Sequence, residues 1–215
     1  MVWDKTYKLE QKIWGEQPGE LALFTSNYLK NSPHIQNELN ILDVGCGYGQ
    51  NALYLAKNLN CYVLGVDNSG GAITLAKELC PKILEKRVEF LCYDFKDLID
   101  KYDVIFASNL YQILKPEERA QFKETVKRCL RRDGFLFLNT LSVRDPHHNG
   151  NKNPAAEKSA SSQDDKYIHL CSREDLEDDF DFLRISALFE REFNENHNNG
   201  NNHRHISWIM MGNMK

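Results

Sequence analysis

The stretch Leu42-Asp43-Val44-Gly45-Cys46-Gly47-Tyr48-Gly49 carries the strongest chemical signal in this 215-residue chain. Closely spaced glycines let backbone N–H groups approach a ligand, and a glycine at the start of a helix lets that helix pack tightly on a strand. The spacing is GxGxG, not the GxGxxG of a dinucleotide fingerprint, and Asp43 precedes it by two residues. A carboxylate there would repel a pyrophosphate but suits a cationic amino group. Asp67 follows 22 residues after Gly45, closing Leu64-Gly65-Val66-Asp67, where a carboxylate can accept from both hydroxyls of a ribose. Asp94 comes next, placed to take an adenine amino hydrogen, with Cys92, Tyr93 or Phe95 nearby to flank the ring. A tight turn alone would also explain the glycines. Asp67 and Asp94 in register tip the reading toward a nucleoside that carries a positive charge.

These acids do such work only if strand ends hold them. Asn40–Val44, Tyr62–Val66, Val88–Cys92 and Tyr102–Ala107 are short apolar runs that read as buried parallel strands, with Phe135–Leu138 as a fifth. Between them the period lengthens to that of helices. Gln50–Asn58 places Leu53 and Ala56 on one face, a helix opens at Ser69-Gly70-Gly71 and runs to about Leu84, and Pro116 begins a helix through Leu130. Such alternation predicts an α/β fold with a Rossmann-like, doubly wound sheet. Ser172-Arg173-Glu174-Asp175 caps a further helix, and strands at Phe182–Phe193 and His205–Gly212 flank an asparagine-rich turn. The sheet is therefore expected to have seven strands, mostly parallel, the last antiparallel. The chain is expected to form one domain: N-terminal lid helices over 1–34, a cofactor-binding core over 35–142, a substrate loop over 143–171, and a closing helix and hairpin over 172–215.

The acid followed by GxGxG, with Asp67 and Asp94 at the following strand ends, resembles the class I S-adenosylmethionine-dependent methyltransferase family. The resemblance implies S-adenosylmethionine as cofactor, with Asp43, Gly45, Cys46, Gly47 and Gly49 around its methionine end. It implies Asp67 and Asn68 on the ribose, Asp94 and Phe95 on the adenine, and Ser108 to Tyr111 toward the methyl group and acceptor. Trp14-Gly15-Glu16-Gln17-Pro18 is similar to the lid region of tellurite-resistance and thiopurine methyltransferase relatives, which implies Trp14 as a cofactor contact; a helix packing Trp14 and Phe24 on the sheet is the other reading. Ser108-Asn109-Leu110-Tyr111 lacks the proline pair of the amino-group methyltransferase loop.

Six of seven histidines lie in the last third of the chain. His147 and His148 follow strand five, at the end of the sheet where open α/β folds bind ligands. His203 and His205 alternate on or near the last strand and so share a face. Their convergence would make a metal site, a cradle for an anion, or a general base. With neither HExxH nor a Cys–His cluster present, no metal is assigned. His147, His148, His205 and Tyr111 are the catalytic candidates.

Lys plus Arg number 27 and Asp plus Glu 31, giving a net charge of −4, which disfavours a general polyanion binder. No apolar run approaches the roughly 20 residues of a membrane-spanning helix, and the charged start is not a secretory signal. The six cysteines are scattered without a CxxC pair, as befits reduced thiols of a cytoplasmic protein. These features lead to an enzyme, a methyltransferase acting on a small molecule, as monomer or homodimer, without nucleic-acid or membrane partners. Protein or RNA methylation, or a non-catalytic cofactor- or metal-binding module, are the alternatives.

Overall fold

The computed structural model describes residues 17–32, 37–148, 167–196 and 202–215. Seven strands form one sheet: β1 (Leu39–Val44), β2 (Cys61–Asp67), β3 (Val88–Cys92), β4 (Tyr102–Ser108), β5 (Leu130–Leu141), β6 (Leu183–Asn196) and β7 (Asn202–Met214). Their order is β3-β2-β1-β4-β5-β7-β6. The pairings among β1 to β5 are parallel, and β7 runs antiparallel to both β5 and β6. The expected seven-stranded doubly wound sheet with an antiparallel last strand is the observed one.

Helices cover both faces because the strands are apolar on both. On one side α1 (Glu20–Asn31), α2 (Gln50–Asn58) and α3 (Gly70–Leu79) pack Leu21, Leu29, Leu55, Ile73 and Ala76 on Ile41, Val63, Val104, Phe106 and Phe137. On the other, α4 (Pro116–Cys129) and α5 (Arg173–Asp179) pack Phe122, Val126 and Leu176 on Leu42, Ile105, Leu136 and Leu138. Neighbouring residues such as Val104 and Ile105 therefore serve opposite layers, as the two-residue period of a strand requires.

The largest departures from the expected boundaries are at two places. Helix α3 stops at Leu79, not near Leu84, because Cys80 precedes Pro81 and adopts an extended backbone (ψ 116°). Leu84 is still buried, carried by a turn after Pro81. Strand β5 begins at Leu130, with no turn at Asp133-Gly134; a register shift between Tyr102 and Val104 absorbs the extra length. At α5 the expected cap is present. Ser172 accepts from the Asp175 amide, and Asp175 accepts from the Ser172 amide in return.

Phe137 anchors the α1 side. It is fully buried and meets Phe24 and Tyr28 edge-on at ring separations of 6.1 and 5.8 Å. Phe137→Ala should cost about 3–5 kcal/mol of unfolding free energy, read by urea denaturation.

Candidate active site

The carboxyl ends of β1, β2 and β4 and the turns that follow them enclose a cavity of about 310 Å³, at the small end of ligand pockets. The glycine turn forms its floor. Gly45 and Cys46 donate to the Val66 carbonyl at 2.8 and 3.0 Å, which tethers the turn to β2. Gly45, Gly47 and Gly49 all have positive φ, of 71°, 54° and 79°. Side chains at the outer two would also collide with neighbours. A Cβ on Gly45 would sit 2.9 Å from Leu110 Cδ1, and one on Gly49 would sit 2.4 Å from Phe90 Cζ on β3. The first glycine keeps the ligand face open, and the last seats α2 against the sheet.

The acids occupy three different environments. Asp43 is 2% exposed, and its Oδ2 has no hydrogen-bond partner among the described residues. Burial, and behind it the nearby charge of Asp67, push its carboxyl up to about 8. Asp67 accepts from the Gly47 amide at 3.0 Å and the Ser69 amide at 2.8 Å. Burial raises its pKa against those amides and that of Asn68, which favour the charge. Asp94 is more open, accepting from the Lys96 amide at 3.1 Å and paired with the Lys96 ammonium at 2.9 Å. Burial also holds the Cys46 thiol well above its ordinary value, so it stays neutral.

Most of the expected cofactor residues meet at this cavity. Gly45, Cys46, Gly47, Asp67 and Asn68 line one end, Asp94 and Phe95 another, and Ser108 lies at the end of β4. Asp43 and Gly49 are not on its wall. Trp14 lies outside the described residues, as do positions 149–166 of the expected substrate loop. Tyr111 departs from its expected role. Its ring is fully buried among Phe122 and Phe180, and its hydroxyl donates to Asp179 at 2.6 Å. Burial and the Asp179 carboxylate push its pKa far up. The cause is the single turn Tyr111–Ile113, which swings the ring into the core while Leu110 and Ile113 face the cavity. His147, His148 and His205 do cluster with one another, but none is on the cavity wall.

Gln50 and Asn51 are wall residues that the sequence did not single out, whereas Asn109 lies in the Ser108-to-Tyr111 segment expected to face the acceptor. Gln50 and Asn51 open α2 just after the glycines, and Asn51 accepts from the Gly19 amide at 2.9 Å, bringing the start of α1 to the cavity. Their place right after the motif was a usable signal. Asn109 stands in the left-handed region at φ 55°, a conformation asparagine tolerates. It is held by Asn139 on β5: the Asn109 amide donates to Asn139 Oδ1 at 3.0 Å, and Asn139 Nδ2 donates to Asn109 Oδ1 at 2.8 Å. No local pattern announces that pair, since it links residues 30 apart.

This sheet order, with an acid–GxGxG turn and further acids at the next strand ends, is the fold of class I S-adenosylmethionine-dependent methyltransferases. Residues 41–134 match the family described as Methyltransferase domain. Over 106 residues the chain is 31% identical to cyclopropane-fatty-acyl-phospholipid synthase of Escherichia coli (strain K12), covering 49% of this chain and 27% of that protein. The chain thus spans little more than a quarter of that curated relative's length. The backbone likeness is broader. A SAM-dependent methyltransferase from Anabaena variabilis ATCC 29413 matches at TM-score 0.74 and 16% identity, over 99% of this chain and 92% of that one. Magnesium protoporphyrin IX methyltransferase from Synechocystis PCC 6803, solved with bound SAH, matches at TM-score 0.72 and 15% identity, over 98% and 94%.

The cofactor of this class is S-adenosylmethionine, and the residues present fit it. Asp43 Oδ2 and Gln50 Oε1 are buried acceptors without partners among the described residues, at the end where a cationic amino group would sit. Two predictions follow from these environments. In the free protein Asp43 keeps its proton up to about pH 8, whereas unfolded it releases it near 3.8, so this group's contribution to stability fades as pH climbs between those values. A cation that draws on ionised Asp43 must expel the proton. Cofactor binding near neutral pH should therefore release most of one proton, read by calorimetry in buffers of different ionisation enthalpy, and much less in Asp43→Asn. Tyr111→Phe should cost about 1–2 kcal/mol of stability in urea unfolding and leave cofactor affinity unchanged.

Proposed function

We propose that the protein transfers the methyl group of S-adenosylmethionine to a small-molecule acceptor. The observation that carries this reading is the cavity itself, with Asp67 and Asp94 on its wall, Asp43 behind it and the open glycine turn between. When bound, S-adenosylmethionine supplies an electrophilic methyl group on a sulfonium. The chain's part is to orient, to exclude water and to leave an approach line for the acceptor. Asp67 would grip the ribose, and Asp94 with Phe95 the adenine. Gly19, Asn51, Ser108 and Asn109 face the remaining space, where the acceptor would enter.

That side of the wall offers amides and a hydroxyl; Glu118 and Lys96 line the cavity elsewhere, and no imidazole does among the described residues. Such a lining favours a soft nucleophile, a thiol, selenide or metalloid oxyanion, which needs no strong base to give up a proton. The names of cyclopropane-fatty-acyl-phospholipid synthase and magnesium protoporphyrin IX methyltransferase point to small molecules, in keeping with this size of acceptor. An RNA acceptor fits less well, because three cations of the densest basic cluster, Lys127, Arg128, Arg131 and Arg132, are engaged within the chain. Arg128 donates to the carbonyls of Leu98 and Lys96, Arg131 pairs with Asp103, and Lys127 with Glu124. Among the described residues no helix is long and apolar enough to cross a membrane. The six free thiols support a reducing compartment, the cytoplasm.

The test is methyl transfer from labelled S-adenosylmethionine to a panel of thiols, selenols, metalloid oxyanions, amines and alcohols. Transfer to the soft acceptors is expected. Asp67→Ala should weaken cofactor binding by about 2–3 kcal/mol, or roughly 30- to 150-fold in Kd. Tight cofactor binding with no turnover on any acceptor would instead indicate a binding module.

A further inference from the structure

A second constellation stands apart from the cavity wall. Just beyond β5, Asp145 is completely buried, and its carboxylate takes four hydrogen bonds. Oδ1 accepts from the His148 amide at 3.0 Å and lies 2.9 Å from His148 Nδ1. Oδ2 accepts from the Ile206 amide at 2.8 Å and lies 3.0 Å from His205 Nδ1. His205 is itself 5% exposed on β7, whereas His148 is more than a quarter open to solvent. The His147 ring completes the group, centred 5.0 Å from that of His148 and 5.3 Å from that of His205.

We propose that Asp145, His148 and His205 form a binding site for a divalent transition metal, with the His147 ring packed beside it. The donor set is two imidazoles and a carboxylate, the mixture that suits zinc or ferrous iron better than calcium or magnesium. Geometry supports it. Donor atoms of the three residues all lie within 4.8 Å of one another. Metal bonds of about 2.0–2.2 Å set neighbouring donors about 3.0–3.5 Å apart, so the observed N···O separations need to open by only a few tenths of an ångström. Two imidazoles sharing one ion have ring centres about 5 Å apart, and His148 and His205 stand at 5.7 Å.

The carboxylate is also prepared for the task. The Ile206 and His148 amides both donate to it and hold it in place. The two backbone amides would stay on the carboxylate when the imidazoles turn to the ion, giving the site a fixed outer layer. One backbone amide comes from the turn after β5 and the other from β7, so the site is built from two separate parts of the chain. It lies at the same sheet edge as the cofactor cavity, since β5 ends there and the antiparallel β7 begins there.

The experiment uses the full chain, stripped with chelator and titrated with Zn²⁺ by calorimetry and with Co²⁺ by visible absorption. One ion per chain is expected, with the Co²⁺ spectrum of a low-coordinate nitrogen–oxygen site that Zn²⁺ abolishes. His148→Ala should weaken binding at least 10- to 100-fold. In the double variant His148→Ala/His205→Gln the Co²⁺ bands should vanish, while retained cofactor binding shows that the fold is intact. If that double variant does not fold, His148→Ala alone decides. No binding by the wild-type chain would overturn the proposal. So would binding of equal affinity in the variants, which would assign the ion to the other histidines of the tail.

Discussion

Two carboxylates taken out of water at adjacent strand ends set the terms for the rest of the cofactor domain. Asp43 ends up with one oxygen unpartnered, and the charge of Asp67 adds to the cost of ionising it. A buried acceptor left without a donor costs on the order of 1–3 kcal/mol, so the fold tolerates the pair at a penalty that a bound cation can relieve. The neighbouring turn is arranged to suit both. By fixing the turn on the Val66 carbonyl and spending the Gly47 amide on Asp67, the chain satisfies the second acid and leaves the first short of partners. The same turn needs three residues of positive φ, which is why its glycines tolerate no side chain. The tether to β2, glycine placement and the charge state of one aspartate are thus parts of a single arrangement.

The cofactor half was largely legible in the chain because each of its parts is local. A strand, a glycine turn and a helix follow one another within about twenty residues, and burial on both sides makes the strands apolar throughout. The three acids each end or follow such a strand, so their placement comes from counting along the chain. Where a local rule was overlooked the reading slipped, as at Pro81, whose restriction on Cys80 ends α3 early. Tyr111 shows a different kind of failure. Its position after β4 argued for the cavity, but a single helical turn rotates alternate side chains inward, and Phe122, Phe180 and Asp179 supply a pocket for it from α4 and α5. Nothing near Tyr111 in sequence foretells that pocket.

The acceptor half resists such reading because its contacts are long-range. Asn109 and Asn139 are 30 residues apart, and their paired amides fix a strained residue on the cavity wall. Each on its own looks like an ordinary loop or strand residue. Only the parallel pairing of β4 with β5, which sets Ser108 opposite Asn139, makes them partners.

The histidines combine both cases. Their enrichment after residue 140 was visible at once, and the alternation along β7 put His205 on a definite face. What the sequence could not supply was Asp145, an acid beside a proline that reads as a turn residue. Only when the antiparallel β7 lies against β5 does His205 come within 3.0 Å of it, across 60 positions of chain. A buried carboxylate then becomes the centre on which two imidazoles converge, held by two backbone amides. That arrangement is not part of the cavity wall, since no member of it lines that space. It occupies instead the seam where the closing hairpin joins the parallel core. A ligand bound there would tie the last strand to the edge of β5, and so act on the same sheet end from which Asn139 positions Asn109.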